Sequence, residues 1–387
     1  LNWVTTRLIL YLILQIDVFK KEYITKMNRR TLLKYAGSGV AAGVFSGSVG
    51  KIFAANQPGT IKSRPMHSSA GKIPFSLIID DGSPVDPLFY ELPGYETPFL
   101  VPAKFTKRVA DTFDRFNLQG KFTVIPMPSC LGRIDQSLKR VPQDHLAEFL
   151  KLMRERIAPR FDITPEFLTH LSSYDLKTGN YQRHMYEDAW ISQASSEEIV
   201  QYFSLAFRIL SNVGLDATGI TSPWVSGIDV ESKYAKALGD SQWEVFKRKM
   251  TWYFLHAAAD NEPPVQCSVE YKDADRGQVV VSIPANAGDI FWSMDIPTKK
   301  ERLKMISNGI DRLISPDGKT GRIHQLIETG FPVVIVTHWQ SLFTQGTELG
   351  LEGLKVLADR IQKVFGSDFE WVKCSEMARR LVESQIS

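Results

Sequence analysis

Cysteine is scarce: Cys130, Cys267 and Cys374 are the only three in 387 residues, and they lie far apart. An odd, scattered trio argues against a disulfide framework, and no pair has the close spacing of a thiolate metal site. A single bridge stays open to the chain in an oxidising compartment. Long apolar runs are also missing. The stretch LILYLILQIDVF near the start is too short to span a bilayer and is broken by Asp17. No stable membrane span is therefore expected in the mature chain. No basic stripe with interleaved aromatics recurs downstream, so no nucleic-acid footprint is expected. The formal net charge of +3 owes much to Lys20, Lys21, Lys26, Arg29, Arg30 and Lys34. No glycine fingerprint follows the first apolar strand, which weakens a dinucleotide-binding sheet. No repeat or low-complexity tract occurs after residue 74.

What is present is the balance of a soluble globular protein, 43% apolar and 23% charged. The length suffices for one large domain or two ordinary ones. Eight Trp and twelve Tyr suit sugar-stacking platforms, and equally the buried aromatics of a large barrel.

Residues 28–55 read NRRTLLKYAGSGVAAGVFSGSVGKIFAA. Paired Arg29 and Arg30 precede a Gly/Ala/Ser-rich run, and small residues follow at Ala54 and Ala55. That is a charged n-region, an h-region and a cleavage zone. The Gly and Ser content makes the run a poor helix in water. The twin arginine resembles a Tat signal, which implies a bacterial protein exported in the folded state to the periplasm or beyond. The expected organisation has residues 1–26 as an upstream extension of the gene, with Met27 as the start, or else as a membrane anchor. Residues 27–55 are then the signal, residues 56–74 a Pro/Gly/Ser-rich linker, and residues 75–387 the folded domain.

Seven β-rich runs follow: FSLII (75–79), KFTVIP (121–126), FLTH (167–170), ATGITS (217–222), QVVVSI (278–283), PVVIVTH (332–338) and FEWVK (369–373). Several are continuously apolar, as strands buried on both faces of a parallel sheet must be. Helical patterns separate them at 103–118, 195–213, 299–314, 347–365 and 374–384. The second opens with Ser195 three residues before Glu198, a capping box. Strand–helix alternation predicts an α/β fold, a distorted (β/α)7 TIM-like barrel, with a doubly wound open sheet as its competitor. The stretches 82–102, 171–194 and 223–277 look long and irregular. Each follows an expected strand, where barrel enzymes build their sites.

The first strand ends IIDDG, so Asp80 and Asp81 cap a wholly apolar run. Adjacent carboxylates repel, and a fold tolerates them cheaply only in water or beside a cation. Successive residues leaving a strand point in different directions, so one can meet a metal while the other faces a water. His338 ends VVIVTH, and His170 ends FLTH. If the sheet closes, these two His and two Asp share one rim. His256 after WYFL is a weaker candidate for it. His67 lies in the linker, His145 and His184 in polar surroundings, and His324 in a helical pattern.

On these motifs the chain resembles the polysaccharide deacetylase family, the chitooligosaccharide-deacetylase homology domain, over roughly residues 75–385. LIIDDG stands where the family has Thr-Phe-Asp-Asp-Gly, KFTVIP where it has a strand like Ala-Thr-Phe-Phe-Val, and VTH where it has Leu-x-His. TSPW keeps the Pro and aromatic of Arg-x-Pro-aromatic, and FEWVKCSEMARRL fits the closing strand and helix. The resemblance implies Asp80 as general base, Asp81 and His170 as metal ligands, and His338 as general acid. It further implies a divalent metal, Zn2+, and a carbohydrate polymer or oligosaccharide as substrate, walled by Pro223, Trp224 and Trp339. Two positions depart from the pattern. The family's second metal His falls at Tyr174, which leaves Asp175 as the expected third ligand. The arginine that braces the base is replaced by Ser222. Two other functions compete: a glycoside hydrolase using Asp229 or Glu231 with Asp289, and a non-catalytic carbohydrate-binding relative.

Overall fold

The computed structural model describes residues 71–86, 100–294 and 296–385. The expected extension and signal, and the linker up to residue 70, lie outside the described residues. The chain runs β1 (Ile73–Asp80), α1 (Ala103–Phe116), β2 (Gly120–Thr123), β3 (Gly132–Arg133), β4 (Ser137–Leu138), α2 (Gln143–Leu152), β5 (Phe161–Thr164), β6 (Ser172–Asp175), β7 (Asn180–Tyr186), α3 (Glu187–Gln193), α4 (Ser196–Asn212), β8 (Gly219–Thr221), α5 (Glu231–Phe246), β9 (Met250–Phe254), β10 (Ser268–Asp273), β11 (Gln278–Ser282), α6 (Lys299–Leu313), α7 (Arg322–Thr329), β12 (Val333–His338), α8 (Trp339–Phe343), α9 (Leu349–Phe365), β13 (Phe369–Trp371) and α10 (Cys374–Ser384). No helix among the described residues is long and apolar enough to cross a membrane.

Strands β12, β1, β2 and β5 lie side by side, all parallel. Strands β8, β9 and β11 make a second parallel run, with β10 antiparallel outside β11. Parallel bridges join the two runs at both ends. Ile163 meets Ala217 and Glu166 meets Thr221 on one seam, and Ala287, in the segment continuing β11, meets Ile335 on the other. Ladder bonds close these seams, Thr221 N to Pro165 O at 2.9 Å and Val336 N to Ala287 O at 3.0 Å. The ring β1–β2–β5–β8–β9–β11–β12 is thus a distorted (β/α)7 barrel.

Strand residues alternate between two environments. Leu77, Ile79, Phe122, Ile163, Val333 and Ile335 face outward into the layer under the helices, with Phe105, Val109 and Phe113 of α1 and Leu354, Leu357 and Ile361 of α9. Ile78, Trp252, Phe254, Val281, Val334 and Val336 form a separate inner core with Cys374, Met377, Ala378 and Leu381 of α10. Helix α10 therefore plugs the end where the strands begin. Its Cys374 Sγ meets Ser76 Oγ at 3.3 Å, and Ser375 donates from N and Oγ to Asp162 at 2.7 and 2.9 Å. With that end sealed, the opposite mouth is where ligands can enter.

Helix α4 carries the expected capping box: Ser195 Oγ accepts from Glu198 N, and Glu198 accepts from Ser195 N at 2.9 Å. Two strand expectations need correction. The third barrel strand is FDIT, not FLTH, because the buried Asp162 that caps α10 breaks its apolar pattern. Strand β9 (MTWYF) runs through the stretch expected to be irregular and takes the barrel position expected of β13, which pairs only with the start of β1.

Candidate active site

Asp80 and His338 end adjacent strands and are partners in the β1–β12 register. After Asp80 the backbone turns sharply, with Asp81 at φ 63°. Gly82 is needed next, since a Cβ there would sit 2.0 Å from Thr123 O. The turn sends the two carboxylates apart, as adjacent like charges require.

Asp81 meets a loop that follows β5. Its N donates to Glu166 Oε2 at 3.1 Å. His170 Nε2 lies 2.9 Å from Asp81 Oδ1 and 3.5 Å from Glu166 Oε1. One ligand atom from each of Asp81, Glu166 and His170 falls within 4.8 Å of the others, and all three residues are buried. Burial raises the Asp81 carboxyl, but the charge and hydrogen bond of His170, the charge of His338 and the Gln340 bond together outweigh it and hold the group well below the usual range. Burial and the charge of Asp81 push Glu166 well above that range. Burial pulls His170 down, yet the charges of Asp81 and Glu166 lift it to about 9. Two desolvated carboxylates thus compete for one cation. His170 Nδ1 has no hydrogen-bond partner. Two oxygens and one nitrogen at this spacing are a donor set that could hold a divalent metal ion.

The loop itself is not a strand. Phe167 and His170 have φ of 43° and 69°, and Phe167 and Leu168 bury their side chains, which explains why FLTH reads as a core strand. The carboxylate of Glu187 accepts from three successive amides, Leu168 N and Thr169 N on Oε1 and His170 N on Oε2. Burial pushes Glu187 up to about 7 despite these bonds.

Asp80 points into the barrel, where Lys121 Nζ and Thr123 Oγ1 both meet its Oδ1, Thr123 at 3.1 Å. Lys121 is fully buried, with its ammonium 4.9 Å from the Phe254 ring centroid. Buried cations demand such partners. Ser222, at the position of the family's arginine, donates instead to the Tyr234 hydroxyl at 2.9 Å.

His338 is held by Asp289, whose Oδ2 lies 2.7 Å from Nδ1 and also accepts from His338 N and Ser341 Oγ. Asp289 Oδ1 accepts from Phe291 N and Thr337 Oγ1. Burial pulls His338 down, but the Asp289 bond and the charges of Asp81, Asp289 and Asp80 raise it to about 10. These bonds occupy Asp289, which the sequence offered as a glycosidase carboxylate. Glu231 likewise accepts from Tyr253 OH and pairs with His256.

The other expected residues divide. Trp224 is 45% exposed at φ 52°, with its ring 5.0 Å from that of His170. Pro223 is buried beneath it. Trp339 is not in the pocket wall. It is fully buried against Phe105 and Phe122, with Nε1 bonded to Ser83 O, because α8 turns the indole into the core. Asp175 lies away from the cluster, in the β6–β7 turn, where its Oδ1 accepts from Lys177 N at 2.8 Å. Glu166 takes the third position expected of it. Sequence reading missed Glu166, Lys121 and Glu187. Glu166 stands four residues before His170, a signal sought on the wrong side of the histidine.

No family model matches the chain, and no curated protein matches it. Among solved structures, it is similar to a Mycobacterium smegmatis protein provisionally assigned to the polysaccharide deacetylases, at 12% identity and TM-score 0.48, over 84% of this chain and 96% of that one. It is also similar to the chitin deacetylase of Colletotrichum lindemuthianum, at 10% identity and TM-score 0.38, over 81% and 88%. A third likeness is to a carbohydrate esterase family 4 pseudoenzyme of Bacillus anthracis, at 10% identity and TM-score 0.34, over 79% and 65%.

Proposed function

We propose that the chain is a metal-dependent hydrolase that removes acyl groups, N-acetyl above all, from a cell-envelope or extracellular polysaccharide, as a divergent polysaccharide deacetylase. The observation that carries this reading is the buried Asp81–Glu166–His170 cluster, flanked by Asp80 and His338 at paired strand ends. Asp81, Glu166 and His170 would hold a divalent cation, and Zn2+ suits two carboxylates and an imidazole. Bound there, the cation supplies Lewis acidity toward a carbonyl and a water.

The chain's own residues do the proton work. Asp80 accepts a proton from the attacking water. Lys121 and Thr123 engage its Oδ1, leaving Oδ2 for the transfer. His338 donates to the departing nitrogen. Asp289 occupies Nδ1, so Nε2 is the donating atom, and the raised basicity keeps it charged at neutral pH. Lys121 replaces the family's arginine as the cation beside the base, supplied from β2 rather than from the loop after β8. The exposed Trp224 indole offers a face to a sugar ring.

The test is metal analysis of the purified chain beside an acetate-release screen on acetylated glycans. Stoichiometric Zn2+ with acetate release is expected. New reducing ends without acetate would establish a glycosidase instead, and glycan binding without metal or turnover a binding module. Arg29 and Arg30 support export by the Tat route, and replacing both by Lys should leave the chain in the cytoplasmic fraction.

A further inference from the structure

Glu187 is fully buried and has no part in the proton work above. It opens α3, beyond the β6–β7 hairpin, yet its carboxylate reaches back to the loop that carries Glu166 and His170. Oε1 accepts from Leu168 N at 2.9 Å, from Thr169 N at 3.0 Å and from the Tyr202 hydroxyl at 2.7 Å. Oε2 accepts from His170 N at 2.9 Å. Three successive amides converging on one anion form a nest. The loop needs such a clamp. Phe167 and His170 both carry a Cβ at positive φ, a conformation that must be held from outside. Loops carry ligands less rigidly than strands do, and here two of the three candidate ligands are on the loop.

We propose that Glu187 is the positioning residue of the metal centre. It fixes the 166–170 backbone in the left-handed geometry that brings Glu166 and His170 to Asp81. The proposal rests on reading that cluster as a metal site. It assigns Glu187 a role through the ligands' backbone, with no contact to the cation or the substrate.

Glu187→Gln tests it. The amide is nearly isosteric, but its NH2 must face either His170 N–H or the two amides and hydroxyl on the other side. Either way a buried donor loses its acceptor. Zn2+ affinity of the full chain is measured by chelator competition well below the melting temperature, and the visible spectrum of the Co2+-loaded chain is recorded. E187Q should weaken Zn2+ binding by about 10–100-fold and alter the Co2+ spectrum. Tyr202→Phe leaves all three amide bonds and should keep wild-type affinity. A folded E187Q with wild-type affinity and spectrum overturns the proposal while the metal centre stands. So does an equal loss in Y202F, since the amides would then not be the cause. If E187Q does not fold, Glu187→Asp keeps both acceptors one methylene farther from the nest, and the same two outcomes decide. A wild-type chain that binds no Zn2+ overturns the metal centre, and this role with it.

Discussion

His338 and His170 reach the same mouth on different kinds of backbone. His338 is the last residue of a regular strand, paired in register with Asp80, and a single carboxylate, Asp289, fixes its ring. His170 sits at φ 69° in a loop off the barrel, and its backbone is tied to a residue beyond the next hairpin. The strand wall holds the proposed proton-transfer groups and, one residue on, Asp81, and the loop wall holds the other two candidate ligands, Glu166 and His170. Proton transfer needs one group at one angle, which a strand end provides by itself. A metal site needs three side chains converging from two segments, which takes a turn sharp enough to leave the left-handed residues in place.

The sharpest break in that comparison comes from the strand wall. Asp80→Asn and His338→Ala should each cut turnover by roughly 10²–10⁴-fold while Zn2+ content stays at the wild-type level. His170→Ala should do the reverse in order of cause, losing the metal first and the activity with it. Metal analysis beside steady-state rates separates the two. Loss of metal in H338A would show that the walls are not divided as described.

A smaller effect sharpens the strand wall further. Asp289 raises His338 through its bond and its charge, while burial opposes both. As an acid, His338 works only while protonated, so activity should fall as pH rises through a value near 10. A cation bound at Asp81 cancels part of that carboxylate's share and brings the limit down. Asp289→Asn removes the larger support, and the alkaline limb should move down by about 1–3 units. An unmoved limb in the pH–rate profile would free His338 of the acid role.

The same division explains what the sequence disclosed. Asp80, Asp81 and His338 were legible because each ends an apolar run, and strand ends are visible in periodicity. Lys121 was not, because a lysine beginning KFTVIP looks like a solvated strand start. Only closure of the barrel turns it inward onto Asp80. β5 was hidden by Asp162, a buried acid serving α10 from across the barrel. Glu166 and Glu187 were hidden because loop contacts carry no period, and FLTH imitated a strand with two apolar anchors.

The smallest expected effect falls on Asp175, which the sequence offered as a ligand where the chain departs from the family's second histidine. Its Oδ1 accepts from Lys177 N at 2.8 Å and Thr178 N at 3.3 Å, an Asx turn that closes the β6–β7 hairpin. Those backbone bonds, the Lys177 bond first, hold its carboxyl below the usual range. The hairpin is still coupled to the loop wall, since Tyr174 N donates to Tyr202 OH, which donates to Glu187. Asp175→Ala should therefore loosen the turn without moving the metal ligands, because the three amide bonds to Glu187 remain. Zn2+ affinity should match wild type within error in the same chelator competition. A loss on the order of tenfold, the cost of removing a group that orients the ligands, would mean that the hairpin swings in to complete the site. The loop wall would then be a moving part rather than a clamped one.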